Sequence, residues 1–185
     1  MNRNKKNVIL DLDETLICSV PSEDLSDEQY LNLIGKVPIH NMDNYYIVFE
    51  RPHLQEFLDY LFENYNVSIW TAASKDYALY IINYVILKEP ERKLNFVFFS
   101  HHCDIAKKLK KKSPKDLEML GKEFNLGKEF NINECILIDD LDANLRGQKN
   151  NCIQVIPWEA TDVNDNYLKS LPSEIESTFN SYVSV

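Results

Sequence analysis

Short apolar runs of strand length alternate with segments of helical periodicity, and this alternation constrains the fold more than any other feature of the chain. The strand-like runs cover residues 8–10, 45–49, 67–70, 96–100, 135–138 and 152–156. Strands that alternate with helices form parallel sheets joined by right-handed crossovers. The sequence therefore predicts an α/β fold with a Rossmann-like parallel sheet flanked by helices.

Three segments have the pattern of helices. Residues 54–64 and 75–87 each place apolar side chains at helical spacing, which is typical of helices packed on a sheet. Ser113-Pro114 predicts the start of the third helix, because serine is a favoured N-cap and proline a favoured first helical residue.

The length of 185 residues suits one domain with a sizeable core, and no segment resembles an interdomain linker. We therefore expect a single α/β domain over residues 1–185. Residues 19–44 interrupt the alternation, because they are polar and rich in turn formers. They indicate a small flap or insertion after the first strand.

Charge and composition limit the partners and the compartment. The formal net charge is −9 and the pI is about 4.9, so we expect no direct binding of nucleic acid, which requires a basic surface. The four cysteines lack metal-ligand spacing, and two of them lie in apolar strand-like runs, which favours a reducing compartment. Acidic residues interrupt the first apolar run, so it is neither a signal peptide nor a membrane span. We expect a soluble intracellular monomer, in the nucleus or the cytoplasm.

Polar side chains follow several predicted strands at the point where each strand ends. They are Asp11 and Asp13 after the first strand, Thr71 after residues 67–70, Asp139 and Asp140 after residues 135–138, and Lys115 at the start of the third helix. Ligands bind at the carboxyl ends of strands in open α/β sheets. Because carboxylate oxygens suit Mg²⁺, the sequence predicts a magnesium-dependent site at this edge.

These residue types fit the transfer of a phosphoryl group. With Mg²⁺ offsetting charge repulsion, Asp11 could attack phosphorus as an ionised carboxylate. Asp13 could then protonate the leaving oxygen and later deprotonate a water molecule. The Thr71 hydroxyl and the Lys115 ammonium could hold the phosphoryl oxygens.

The order of these motifs resembles that of the haloacid-dehalogenase-like phosphatases. The motifs cover residues 11–16, 70–73, 115–117 and 138–140. Within that superfamily, residues 51–58, Tyr77 after the second motif and residues 151–158 resemble the RNA polymerase II C-terminal-domain phosphatases of the FCP/SCP group.

The resemblance implies Mg²⁺-dependent dephosphorylation of phosphoserine or phosphothreonine in a protein or peptide, through an aspartyl-phosphate. Asp11 would be the nucleophile and a metal ligand, and Asp13 the acid and base, with its backbone carbonyl on the metal. Asp140 would complete the metal ligands, and Asp139 would lie beside them near Lys115. Thr15 would orient its neighbours through its hydroxyl. Arg51 would have a structural role.

Some positions depart from the family pattern and leave the substrate open. Ser74 stands where smaller members carry an apolar residue, and His101-His102 stand where an arginine is common. The basic run at residues 107–112 could be a nuclear-localisation signal, a patch for an acidic phosphopeptide, or a solvated loop. Its lysines at 110, 111 and 112 could also compete with Lys115 for phosphate.

Residues 101–104, two histidines followed by a cysteine and an aspartate, resemble a metal cluster only superficially. If they continue a strand, alternate side chains point to opposite faces and cannot reach one ion.

Two other functions remain open on the sequence alone. One is a phosphatase for small metabolites or for nucleic-acid 3′-phosphates, and the other is a non-catalytic scaffold of the same fold.

Overall fold

A computed structural model describes residues 5–126 and 130–181. Its strands are β1 (Asn7–Leu10), β2 (Ile17–Pro21), β3 (Ile39–Met42), β4 (Tyr46–Glu50), β5 (Asn66–Trp70), β6 (Val97–Phe98), β7 (Cys135–Asp139) and β8 (Cys152–Gln154). Its helices are α1 (Asp27–Leu33), α2 (Leu54–Asn64), α3 (Lys75–Ile81), α4 (Ser100–Lys108), α5 (Met119–Lys122), α6 (Asp142–Gly147) and α7 (Tyr167–Ser181). A π-helical turn (Ile82–Ile86) extends α3, and a 3₁₀ turn (Ile132–Glu134) precedes β7.

Five strands form a parallel sheet in the order β6-β5-β1-β7-β8, which confirms the predicted Rossmann-like α/β fold. β1 lies at the centre, where Leu10 is paired with Ile69 on one side and with Ile138 on the other. The residues that follow β1, β5 and β7 therefore emerge at the same edge of the sheet.

The parallel sheet is buried on both faces. Val8 and Leu10 point into a core formed with α2, α3 and α7, whereas Ile9 points into a second core with α4 and α5. This alternation follows from the two-residue period of a strand. Because both faces are covered, the strands read as continuous apolar runs in the sequence.

The predicted insertion after the first strand is a three-stranded antiparallel sheet in the order β2-β4-β3, together with α1. The apolar run at residues 45–49 belongs to this small sheet, as part of β4, and not to the parallel sheet. A small core including Phe49 and Trp158 joins the insertion to the segment after β8.

The prediction that a helix starts at Ser113-Pro114 is wrong. Residues 113–118 form turns, and α5 begins only at Met119. The Ser113 hydroxyl donates to Oδ1 of buried Asn144 at 2.6 Å and accepts from the Lys115 amide at 3.1 Å. The serine thus caps a turn that is tied to α6 and does not start a helix. Lys115 therefore lies in this turn and not, as predicted, at the start of a helix.

The strand predicted at residues 96–100 is shorter than expected, and residues 101–104 lie in α4. The Phe99 amide donates to Nδ1 of His102 at 3.0 Å, which supports the helix start. Residues 101–104 therefore do not continue a strand, and the argument that a strand keeps their side chains apart was wrong. Among the described residues, the cluster that could hold a metal consists of Asp11, Asp139 and Asp140, and residues 101–104 are not part of it.

None of the helices in the described ranges is both long enough and apolar enough to cross a membrane.

Candidate active site

A cavity of about 370 Å³ lies at the carboxyl ends of β1, β5 and β7. Its lining residues are Asp11, Asp13, Glu14, Thr71, Ala72, Pro114, Lys115, Asp139, Asp140 and Leu141. The structure therefore brings together the six residues that the sequence singled out as carriers of chemistry.

Lys115 is buried between two carboxylates at the floor of this cavity. Its Nζ donates to Oδ1 of Asp11 at 2.5 Å and to Oδ2 of Asp139 at 2.6 Å, and the residue is 3% exposed. The lysines at 110, 111 and 112 line a different cavity, and Lys111 pairs with Glu123 at 2.8 Å. Of the lysines considered for phosphate binding, Lys115 is therefore the one that lines the cavity together with Asp11.

Side-chain oxygens of Asp11, Asp139 and Asp140 lie within 4.8 Å of one another. Such a set of hard oxygen donors fits Mg²⁺. Both oxygens of Asp139 are already engaged, because Oδ1 accepts from the Leu141 amide at 2.8 Å and Oδ2 accepts from Lys115. Asp11 and Asp140 are therefore better candidates for metal ligands than Asp139, and their role stays a prediction.

The site concentrates negative charge in a buried place. Burial raises the pKa of Asp11, the Lys115 ammonium opposes this rise, and the neighbouring Asp139 charge adds to it. Burial also raises the pKa of Asp140, again with a contribution from Asp139. Burial alone would lower the pKa of Lys115, but Asp11 and Asp139 raise it overall, so the lysine stays charged. A bound cation would favour the ionised carboxylates.

Thr15 and Thr71 are both fully or almost fully buried beside the carboxylates. The Thr15 hydroxyl donates to Oδ1 of Asp140 at 3.4 Å, which agrees with the orienting role implied for it. The Thr71 hydroxyl accepts from the Ala73 amide at 3.0 Å. That contact leaves the Thr71 proton free to be donated to a bound oxygen.

Arg51 supports the loop behind the site from a buried position. Its guanidinium binds both carboxylate oxygens of Asp165, at 2.9 and 3.0 Å. It also donates to the backbone carbonyls of Thr15 and Ile156 at 3.0 and 3.1 Å. These are structural contacts, as expected.

Tyr77, which contacts Asp13, and Glu14, which lines the cavity, were not foreseen as members of the site. Tyr77 donates a hydrogen bond from its hydroxyl to Oδ1 of Asp13. Its position in the first turn of the helix that follows β5 could have placed Tyr77 near this sheet edge, but not in contact with Asp13. Glu14 has a left-handed backbone (φ 59°), and its carbonyl accepts from the Trp158 amide at 2.8 Å. No local sequence signal marks that conformation.

The parallel sheet carries a carboxylate-lined cavity at the carboxyl ends of its strands. A family model described as NLI interacting factor-like phosphatase matches residues 6–183. The chain therefore belongs to the NLI interacting factor-like phosphatase family, and the resemblance to the C-terminal-domain phosphatases is confirmed.

One relative, the CTD phosphatase-like protein 355R of Invertebrate iridescent virus 6, is 46% identical over 157 residues, which are 83% of this chain and 86% of the relative. A solved structure of a fission yeast RNA polymerase II CTD phosphatase Fcp1 variant, bound to beryllium fluoride, has a TM-score of 0.59 at 21% identity. The match covers 96% of this chain and 51% of that one.

Another solved structure is similar in fold. A HAD family enzyme from Bacteroides thetaiotaomicron, solved in complex with magnesium and inorganic phosphate, has a TM-score of 0.50 at 12% identity. The match covers 84% of this chain and 96% of the enzyme.

Proposed function

We propose that this protein is a Mg²⁺-dependent phosphatase that removes phosphate from phosphoserine or phosphothreonine of a protein, through an aspartyl-phosphate on Asp11. The observation that carries the proposal is the buried Asp11 carboxylate, which Lys115 contacts at 2.5 Å beside oxygens of Asp139 and Asp140. A buried carboxylate fixed by an ammonium is suited to attack on phosphorus, because its position is set before the substrate arrives.

Asp11, Asp140 and the backbone carbonyl of Asp13 would hold the magnesium ion. When bound, the ion would offset the repulsion between the Asp11 carboxylate and the phosphate dianion. The donor set of hard oxygens supports this choice, and the related fold solved with magnesium and inorganic phosphate agrees with it.

The reaction would consist of two successive displacements at phosphorus, carried out by residues of the chain. Asp11 attacks phosphorus, the bond from phosphorus to the serine or threonine oxygen breaks, and Asp13 gives its proton to that oxygen. A water molecule then loses a proton to Asp13 and attacks the same phosphorus, and the bond to Asp11 breaks. Thr71 and Lys115 donate hydrogen bonds to the phosphoryl oxygens, on which the transition-state charge is spread.

A phosphorylated protein segment is the substrate class that the surroundings of the cavity favour. The insertion after β1 is a small sheet with one short helix, and within residues 5–126 and 130–181 no large cap of the kind that encloses a small metabolite covers the cavity. The viral relative and the fission yeast enzyme carry CTD phosphatase in their names, which supports a tail-like peptide as substrate.

The test compares wild type with Asp11→Asn on phosphoserine and phosphothreonine peptides, with and without Mg²⁺. We expect wild-type turnover only with Mg²⁺ and a loss of at least about 1,000-fold in Asp11→Asn. Equal activity of the two proteins would refute the mechanism. Sugar phosphates and 3′-phosphorylated oligonucleotides belong in the same panel, and a preference for either would overturn the assignment of a protein substrate.

A further inference from the structure

The carboxyl group of Asp13 is held by a tyrosine that no catalytic motif includes. We propose that Tyr77 is a positioning residue for Asp13, which fixes one carboxylate oxygen so that the other exchanges the proton with the leaving group. This inference rests on the proposed phosphatase function and deepens it.

Three side chains from three elements form a chain of hydrogen bonds. Asp13 follows β1, Tyr77 is in the first turn of α3, and Ser19 is in β2. The Tyr77 hydroxyl contacts Oδ1 of Asp13 and also Oγ of Ser19, the latter at 2.5 Å. A phenol has one proton and an ionised carboxylate has none, so Tyr77 donates to Asp13 and Ser19 donates to Tyr77.

The ring of Tyr77 is itself fixed by packing. It lies edge-on to Tyr46 of β4, with ring centroids 5.5 Å apart and an interplanar angle of 77°. It also packs against the core between the parallel sheet and α3. The hydroxyl is therefore held by the small sheet and by α3 together, and its direction does not depend on solvent.

This arrangement assigns different tasks to the two oxygens of Asp13. Oδ1 is bound to Tyr77, so Oδ2 is the oxygen that would meet the leaving group in the cavity. A general acid acts only when its proton lies within hydrogen-bond reach of the leaving atom. Without the Tyr77 hydroxyl, the carboxyl group can rotate, and a smaller fraction of molecules has Oδ2 in place.

The proposal predicts an effect that depends on the leaving group. A serine alkoxide is a poor leaving group that needs a proton, whereas 4-nitrophenolate leaves without one. Loss of a positioned acid should therefore slow cleavage of a phosphoserine peptide much more than cleavage of 4-nitrophenyl phosphate. A purely structural tyrosine would lower both rates together, and a tyrosine that binds the peptide would change KM.

The experiment measures the first turnover of both substrates at saturating enzyme, because that step precedes the attack of water. In Tyr77→Phe we expect the ratio of the peptide rate to the nitrophenyl rate to fall by about 10-fold or more. Ser19→Ala should lower the ratio less. The matched control is Tyr80→Phe on the same helix, whose hydroxyl donates to the Asn41 carbonyl at 2.9 Å, and this variant should keep the wild-type ratio.

A double-mutant cycle separates positioning from other roles. In an Asp13→Asn background, Tyr77→Phe should produce almost no further change in the ratio, because the acid that it positions is gone. Equal losses on both substrates, a change confined to KM, or additive effects in the cycle would each overturn the proposal while the phosphatase assignment stands. A wild-type protein inactive on both substrates would overturn the assignment itself, and this inference with it.

Discussion

At the scale of single residues, Lys115 has the largest electrostatic role in the site. It is 3% exposed and contacts Asp11 and Asp139, which are 6% and 1% exposed. Removing one member of a buried ionic group leaves charges that have neither water nor a partner. The lysine is therefore expected to support both the fold and the chemistry.

We predict that Lys115→Gln lowers the free energy of unfolding by about 3–5 kcal/mol, because two buried carboxylates lose their counter-charge. Urea unfolding checks this value, and phosphopeptide turnover should fall in the same variant. The control is Lys110→Gln, an exposed lysine of the basic run, which should change stability by less than about 0.5 kcal/mol. If Lys110→Gln lowers turnover as much as Lys115→Gln does, the phosphate-binding role of Lys115 is wrong.

The sequence predicts the members of the site well but predicts their contacts less well. Asp11, Thr71 and Asp140 could be identified because each directly follows an apolar strand, and strand ends in a parallel sheet share an edge. Tyr77 could not be assigned to Asp13, because that contact depends on how α3 packs against β1. Glu14 could not be foreseen, because its left-handed backbone is stabilised by the distant Trp158 amide.

At the scale of elements, the turn that carries Lys115 depends on α6. Oδ1 of buried Asn144 accepts hydrogen bonds from the Ser113 hydroxyl and, at 3.1 Å, from the Lys115 amide. Gln148, directly after α6, accepts from the Leu117 amide at 2.9 Å and donates to the Lys115 carbonyl at 2.8 Å. The backbone of Lys115 is thus held on both sides by one short helix and its end.

We predict that Asn144→Ala lowers the free energy of unfolding by about 1–3 kcal/mol, because it leaves the buried Ser113 hydroxyl without its acceptor and removes one of the two acceptors of the Lys115 amide. Turnover should fall as well, since Lys115 loses its fixed backbone. An independent change at the same contact is Gly147→Ala, whose new Cβ would come within 2.8 Å of the Ser113 Cβ. Wild-type turnover in both variants would contradict this expectation, because it would show that the turn carrying Lys115 can move without loss of activity.

Helices and strands were predicted where local pattern and tertiary packing agree. Residues 54–64 form a helix because their apolar face, including Phe57 and Leu61, covers the sheet. Ser113-Pro114 has an equally good local signal for a helix start, yet tertiary hydrogen bonds to Asn144 use the serine in a turn. Local propensity is a weak preference that a buried polar partner can override.

At the scale of the whole molecule, one buried carboxylate joins the small sheet to the larger part of the fold. Glu50 of β4 is 1% exposed and accepts hydrogen bonds from His40 of β3 at 2.6 Å and from Lys88. It also accepts from Gln55 of α2 at 2.8 Å, and Gln55 accepts from Arg92 at 2.8 Å. The insertion is thereby fixed against α2 and the segment after the π-helical turn.

The titration of Glu50 makes this junction sensitive to acid. Burial alone would raise the pKa of Glu50, but hydrogen bonds from His40, Lys88 and Gln55 lower it below the ordinary 4.5. A carboxyl group whose pKa is lower in the folded state stabilises the fold above its unfolded pKa. That contribution is lost as the pH falls through the folded pKa.

We predict that Glu50→Gln lowers the free energy of unfolding by about 2 kcal/mol near neutral pH, since an amide replaces the charged acceptor of three donors. The difference from wild type should shrink as the pH falls below about 4.5 and through the lower folded pKa of Glu50, because the wild-type carboxylate is then protonated too. Urea unfolding at several pH values measures both effects. Exposed Glu23→Gln is the control and should stay within about 0.5 kcal/mol of wild type throughout. If the difference in free energy of unfolding between Glu50→Gln and wild type does not change with pH, Glu50 acts through packing alone. The junction would then be stabilised by the apolar contacts of the small core around Phe49 and Trp158, and not by charge.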